Sequence, residues 1–202
     1  MFRPQWARSG VSGFCARLSK SGLEKGFFNM VYSRALISVF DKRGIEQFAK
    51  GLAGLGIEIL STGGTSKALS AAGIKVKEVS DFTGSPELFN GRVKTIHPKL
   101  HGGILFRRDI NEHVLTAKKH GIEPIDIVIV NLYPFAKIAA QTDSLLEDII
   151  ENIDIGGPAL IRAAAKNYQH VLVITDPSDY ETAFAYIQSG SADLEFRKSL
   201  MI

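Results

Sequence analysis

From Ala35 onward the chain alternates short apolar runs with stretches whose apolar residues recur at helical spacing. ALISVF (35–40) is a continuous run of strand length, and GIEQFAKGLAGLG (44–56) places its apolar residues on one helical face before stopping at Gly54 and Gly56. IEILST (57–62) predicts a second strand and TSKALSAAG (65–73) a short helix closed by Gly73. IKVKEVS (74–80) predicts a third strand, whose polar alternation suits a sheet edge. The stretch from Asp81 to Gly103 is punctuated by glycine and proline, shows no period, and reads as one long irregular segment. Beyond it, NEHVLTAKKHG (111–121) is helical and IDIVIVNLY (125–133) is the strongest buried strand. SLLEDIIENID (144–154) and PALIRAAAKN (158–167) are two helices separated by a glycine pair, and HVLVIT (170–175) is the last strand. PSDYETAFAYIQSG (177–190) is a helix with Pro177 at its opening turn, and LEFRKSLMI (194–202) reads as an unfinished helix, so further chain is expected after it.

Strands alternating with helices imply an α/β fold: a parallel sheet built through right-handed crossovers, with helices on both faces. Ligands in such folds bind beyond the carboxyl ends of the strands. Those ends would present Phe40, Asp41 and Lys42, then Ser61 to Thr65, then Val130 to Tyr133, along one rim.

Charge changes this picture at the amino terminus only. The net charge is +3, but residues 1–34 hold six Lys/Arg against Glu24 alone. Residues 35–202 are then slightly acidic, so nucleic acid is not an expected partner and any anion site must be local. Residues 1–34 are expected to be a leader outside the domain at 35–202, and a transit peptide, an upstream extension and a miscalled start with Met30 as the alternative all remain open. Cys15 is the only cysteine, which excludes an intrachain disulfide and a cysteine-rich metal site and suits a reducing cytoplasm. No apolar run reaches the length needed to cross a bilayer, so no membrane partner is expected.

The candidate chemistry lies in three places. Thr62, Gly63, Gly64 and Thr65 sit between a strand and a helix, where glycines let a phosphate approach the backbone and the helix N–H groups point at it. The turn is neither a P-loop nor a dinucleotide fingerprint, and a plain structural turn is the bland alternative. Arg92, Val93, Lys94 and Thr95 could bring cations to the same anion, Arg92 as a fork and Lys94 as a point charge; a solvated basic loop is the competing account. Asp154 ends one helix before the Gly156–Gly157 turn, and Pro158 opens the next helix, which carries Arg162 and Lys166 on one face. The turn is expected to bring Asp154 and Lys166 to one side of a ligand, although a cap and an exposed helix-end cation would explain them separately. His97 and His101 are four apart, but Pro98 and the missing glutamate speak against a metal site; they are expected to hold a loop by hydrogen bonds.

ALISVFDK, LSTGGTSKAL, FNGRVKTIHPKLHGGIL, VNLYPF and DIGGPALIRAAAKN, in that order, resemble the inosine-monophosphate (IMP) cyclohydrolase domain of the bifunctional purine biosynthesis family, from about Ala35 to the C-terminus. The resemblance implies the methylglyoxal-synthase-like fold and the closure of 5-formamidoimidazole-4-carboxamide ribonucleotide (FAICAR) to IMP, without metal or organic cofactor. It implies nucleotide contacts at Phe40, Asp41, Lys42, Thr62, Gly63, Gly64, Thr65, Arg92, Val93, Lys94, Thr95, Val130, Asn131, Asp154 and Ile155. It also implies catalytic roles for Lys166 as proton carrier and for Asp154, Lys94 and Tyr133, a cytoplasmic location, and a homodimer in the full-length protein. Phe40 stands where the family commonly has serine, which leaves only backbone contacts there, and the formyltransferase domain expected to follow does not appear in the sequence. A methylglyoxal-synthase-like lyase and a non-catalytic nucleotide-sensing module are the alternatives.

Overall fold

The computed structural model describes residues 32–132, 146–190 and 194–202. Five strands form one wholly parallel sheet: β1 (Arg34–Val39), β2 (Glu58–Ser61), β3 (Val76–Glu78), β4 (Ile127–Asn131) and β5 (Leu172–Ile174), in the order β3-β2-β1-β4-β5. The chain winds outward from β1 through β2 to β3, then crosses to β4 and β5 on the other side. The strand order therefore reverses between β1 and β4, the position where such sheets open a crevice.

Period-two alternation explains the layers. Ile37, Ile59, Ile129 and Ile174 point to one face, where they meet Phe48 and Leu52 of α1 (Ile45–Gly54), Leu69 of α2 (Gly63–Ala71) and Ala183 of α8 (Tyr180–Ser189). Leu36, Leu60, Val128 and Val173 point to the other face. There they pack on α3 (Val79–Thr83), α4 (Pro98–Leu105) and α7 (Gly156–Lys166). Each such side chain taken fully out of water contributes about 1.5–3 kcal/mol, so both faces are needed to hold the sheet. α5 (Asn111–Lys119) and α6 (Leu146–Glu151) flank β4 in sequence, a short 3-10 turn at Pro177–Asp179 opens α8, and α9 (Leu194–Met201) follows.

The stretch from Asp81 to Gly103 is more regular than its composition suggests. It carries the end of α3 and most of α4, whose first turn is capped by His97: the Lys99 backbone N–H donates to His97 Nδ1 at 3.1 Å, and Pro98 occupies the first position. Gly102 and Gly103, which read as loop residues, are helical because a close approach demands them. A β-carbon on Gly103 would lie 2.4 Å from the Glu123 carbonyl oxygen, and one on Gly102 3.0 Å from Ile122.

The amino-terminal ends of the strands are tied by charge. Asp126 accepts from the backbone N–H groups of Ser33 (2.7 Å) and Arg34 (3.2 Å) and from the Arg108 guanidinium (3.0 Å). Arg34 reaches Glu58, Glu123 and the Pro124 carbonyl. Arg197 of α9, almost wholly buried, donates to the Tyr32 hydroxyl at 3.0 Å and the Gln169 carbonyl at 3.1 Å. Tyr32 and Arg34, placed in the leader by composition, are thus part of the folded body.

Candidate active site

A cavity of about 630 Å³ opens at the carboxyl ends of β1, β2 and β4. It is lined from one side by Phe40, Lys42, Thr62, Gly64 and Thr65, from above by Arg92, Lys94 and Thr95, and from the other side by Asn131, Asp154 and Ile155. Eleven of the residues expected to touch a nucleotide therefore meet around one space, although they come from segments more than a hundred residues apart.

The glycine turn is shaped as an anion cradle needs. Gly63, at φ +58°, reverses the chain between β2 and α2, and the Lys94 ammonium lies 3.4 Å from where a β-carbon on Gly63 would stand. The first-turn N–H groups of α2 have no intrahelical acceptor and carry the positive end of the helix dipole. The hydroxyls, expected to add donors, are engaged elsewhere. Thr65 Oγ1 donates to the Val39 carbonyl (2.9 Å) and accepts its N–H (3.1 Å), while Thr62 Oγ1 donates to Glu87 (3.0 Å). They brace the turn instead.

Asn131 performs a similar task across the crevice. Its Oδ1 accepts the backbone N–H groups of Phe40 (2.7 Å) and Asp41 (2.8 Å), and its Nδ2 donates to the Asp41 carbonyl (2.9 Å). The loop after β1 is thereby fixed to the end of β4. Asp41 itself turns away from the cavity to pair with Arg43, which holds its carboxyl below the usual range. Val130 is buried in the core and Val93 is backbone-paired to Leu88, so neither lends its side chain to the cavity.

On the opposite wall, Asp154 accepts the Gly157 N–H at 2.8 Å, which pins its carboxylate at the start of α7. The two glycines there are required by crowding: a β-carbon on Gly156 would lie 2.3 Å from Thr95 Oγ1, and one on Gly157 2.5 Å from Asp154 Oδ2. Thr95 is buried, and burial holds the nearby His101 below the ordinary histidine range. Of the two histidines expected to hold the segment by hydrogen bonds, His97 does so as a cap, whereas the buried His101 Nε2 has no partner among the described residues.

Two expected catalytic residues do not join this group. Lys166 is the last residue of α7, whose first turn borders the cavity; ten residues of helix carry it about 15 Å away. Asp154 lines the cavity before the Gly156 turn, whereas the Lys166 backbone sits at the far end of α7 and does not line it. Tyr133 lies outside the described residues. Conversely, Glu151 and Asn152, at and just past the end of α6, line the cavity, and so do Asn90 and Gly91; none of these was expected. An acidic residue one turn before Asp154 was the available signal for Glu151. Among the described residues no group of three His, Cys, Asp or Glu side chains could hold a metal ion, and no helix is long and apolar enough to cross a membrane.

A parallel sheet with this order, and a glycine turn facing a cationic loop beyond its carboxyl edge, define the class: the chain belongs to the MGS-like domain family, whose model matches residues 44–159. Residues 164–202 match the AICARFT/IMPCHase bienzyme model. Within that class the chain is similar to the bifunctional purine biosynthesis protein PurH of Neisseria gonorrhoeae, 56% identical over 164 residues, which are 81% of this chain and 31% of that protein. PurH of Neisseria meningitidis serogroup A is likewise 56% identical over 161 residues, or 80% of this chain and 30% of that protein. The chain thus spans about a third of the length of these relatives. A solved structure described as the crystal structure of ForH superposes with a TM-score of 0.76 at 36% identity, covering 84% of this chain and 88% of that one.

Proposed function

We propose that this cavity closes FAICAR to IMP. The observation that carries the reading is the meeting of the α2 turn, Lys94 and Asp154 around one space large enough for a nucleotide. The family and the PurH relatives support it, since most of the cavity residues, all but those from Ile150 to Ile153, fall in the segments that carry the resemblance.

The reaction makes a carboxamide nitrogen attack a formyl carbon of the same molecule. A C–N bond forms, the formyl oxygen becomes the hydroxyl of a tetrahedral carbinolamine, and that hydroxyl leaves as water after proton transfer. Holding the two groups within attack distance lowers the barrier most, which a cavity walled on three sides can do. The phosphate is assigned to the α2 turn and Arg92, which fixes one end of the substrate. Asp154, its carboxylate held by the Gly157 N–H, takes the amide proton. Lys94, whose four-carbon stem can carry the ammonium from beside Gly63 toward the reacting carbonyl, stabilises the developing oxyanion. Roles for Lys166 and Tyr133 rest on the resemblance alone. A cytoplasmic location and a homodimeric full-length protein belong to the same reading.

Cyclisation of FAICAR followed spectrophotometrically, beside an assay for phosphate release from dihydroxyacetone phosphate, tests this function. IMP formation without phosphate release is expected. Phosphate release alone would make the chain a lyase, and nucleotide binding without either activity would make it a sensing module.

A further inference from the structure

Arg92, the cation assigned to the phosphate, is held by a carboxylate that sequence reasoning did not single out. Its Nη2 and Nε donate to the two oxygens of Glu151, the Nε contact at 3.3 Å and the Nη2 contact shorter. Glu151 closes α6 and lines the cavity three residues before Asp154. Arg92 lies within a tight hairpin in which Leu88 and Val93 exchange backbone hydrogen bonds at 2.9 and 3.2 Å. Phe89 and Asn90, both at φ +54°, form its tip in a left-handed conformation that non-glycine residues rarely adopt. The ion pair therefore joins a strained tip from one side of the crevice to the helix end on the other, across 59 positions of chain.

We propose that Glu151 is a positioning residue for Arg92, fixing the rotation of the guanidinium so that its remaining edge faces the nucleotide phosphate. The inference rests on the proposed role of Arg92 as phosphate anchor. A guanidinium has five N–H donors in a rigid plane, so a carboxylate on the Nε and Nη2 edge leaves the Nη1 edge for a phosphate. Both side chains are more than half exposed, at 62% and 53%, so the pair does not serve the core. Arg92 also holds the Glu151 carboxyl below its ordinary range, so Glu151 stays charged. A charged carboxylate in the wall of a site for a phosphate dianion is repulsive unless the arginine between them neutralises both. The arrangement fits an orienting contact, because an arginine free to rotate would lose more freedom on gripping phosphate.

The test is a double-mutant cycle on the whole chain: parent, Glu151→Ala, Glu151→Gln, Arg92→Ala and the double alanine variant. IMP affinity is measured by calorimetry, FAICAR kinetics by absorbance, and folding by melting temperature. Glu151→Ala should raise KM and weaken IMP binding about fivefold, in keeping with an exposed ion pair, with kcat within about twofold and an unchanged melting temperature. Glu151→Gln, which keeps the shape and one acceptor, should lose less. In the Arg92→Ala background, removing Glu151 should add nothing. Equal or tighter IMP binding by Glu151→Ala would overturn the proposal, since the carboxylate would then be idle or a competitor of phosphate. Losses that multiply in the double variant would overturn it too, since Glu151 would then act without Arg92. Calorimetry needs no turnover, so a parent that binds IMP without closing the ring would refute the cyclohydrolase reading and leave this cycle decisive.

Discussion

Alanine at Gly157 adds one methyl group beside the proposed base. Its β-carbon would lie 2.5 Å from Asp154 Oδ2 and 2.6 Å from Leu132 Cδ2, whereas comfortable contact needs about 3.5 Å. Leu132 is partly exposed and can swing outward, but the Asp154 carboxylate must retreat by about 1 Å, which breaks the 2.8 Å bond from the Gly157 N–H. A misplacement of that size costs on the order of 10²-fold in turnover, or about 2.7 kcal/mol in the barrier. The fold should suffer less: overpacking costs about 1–3 kcal/mol, and alanine's better helix propensity returns up to about 1. Single-turnover cyclisation, IMP calorimetry and a melting curve on parent and Gly157→Ala separate these effects. The expected result is a hundredfold slower ring closure, IMP affinity within about tenfold, and a melting temperature lower by a few degrees. Turnover within about threefold of the parent would show that the position of Asp154 is immaterial and refute its role as base.

Lys94→Ala should lower kcat by roughly 10²-fold while Arg92→Ala mainly raises KM; identical signatures in steady-state kinetics would erase the distinction between oxyanion partner and phosphate anchor. His101 is held below the ordinary histidine value of 6.5 by burial, so the unfolded chain takes up its proton first and stability should fall as pH drops below 6.5. His101→Gln should flatten that slope in urea unfolding at pH 7.5, 6.5 and 5.5, only in part because His170 shifts the same way, and an unchanged slope would exclude His101 as a source. Gly51→Ala would drive a β-carbon to 2.5 Å from the Phe184 ring and should melt several degrees below Gly54→Ala, which meets nothing within 4 Å. The reverse order of melting temperatures would show that α1 and α8 do not pack as described.

The strands and most helices were legible because their apolar residues obey one period each. ALISVF and IDIVIVNLY are central strands buried on both faces, IKVKEVS is the edge strand its polar alternation indicated, and HVLVIT, though fully apolar and buried in its strand residues, lies at the opposite edge. α4 was hidden because Gly102 and Gly103 carry the composition of a loop, and only the crowding against Glu123 and Ile122 explains them. In the candidate site, glycines and cations were legible as residue types, but their partners were not. That Thr65 spends its hydroxyl on β1, that Asn131 staples the first loop and that Glu151 grips Arg92 all depend on contacts between segments distant in the chain. The distance of Lys166 follows from helix geometry, which the sequence pattern already contained once PALIRAAAKN was taken as one uninterrupted helix starting at the cavity.

The charge ties at the amino-terminal edge of the sheet lie at the opposite end of the strands from the cavity. Arg108 and Asp126 form a mostly buried pair there, so removing one leaves the other's charge uncompensated, and the buried Arg34 and Arg197 hold backbone carbonyls at the same edge. The two ends of the same strands should then answer differently to random mutagenesis. Losses at Arg34 or Asp126 should deplete the protein from cells by unfolding it, whatever substrate is supplied, whereas losses at Lys94 or Asp154 should leave its abundance intact and abolish growth only where purine must be made. A library scored once for abundance and once for growth would divide along the strand axis, and that division would locate the working edge of the sheet without reference to any ligand.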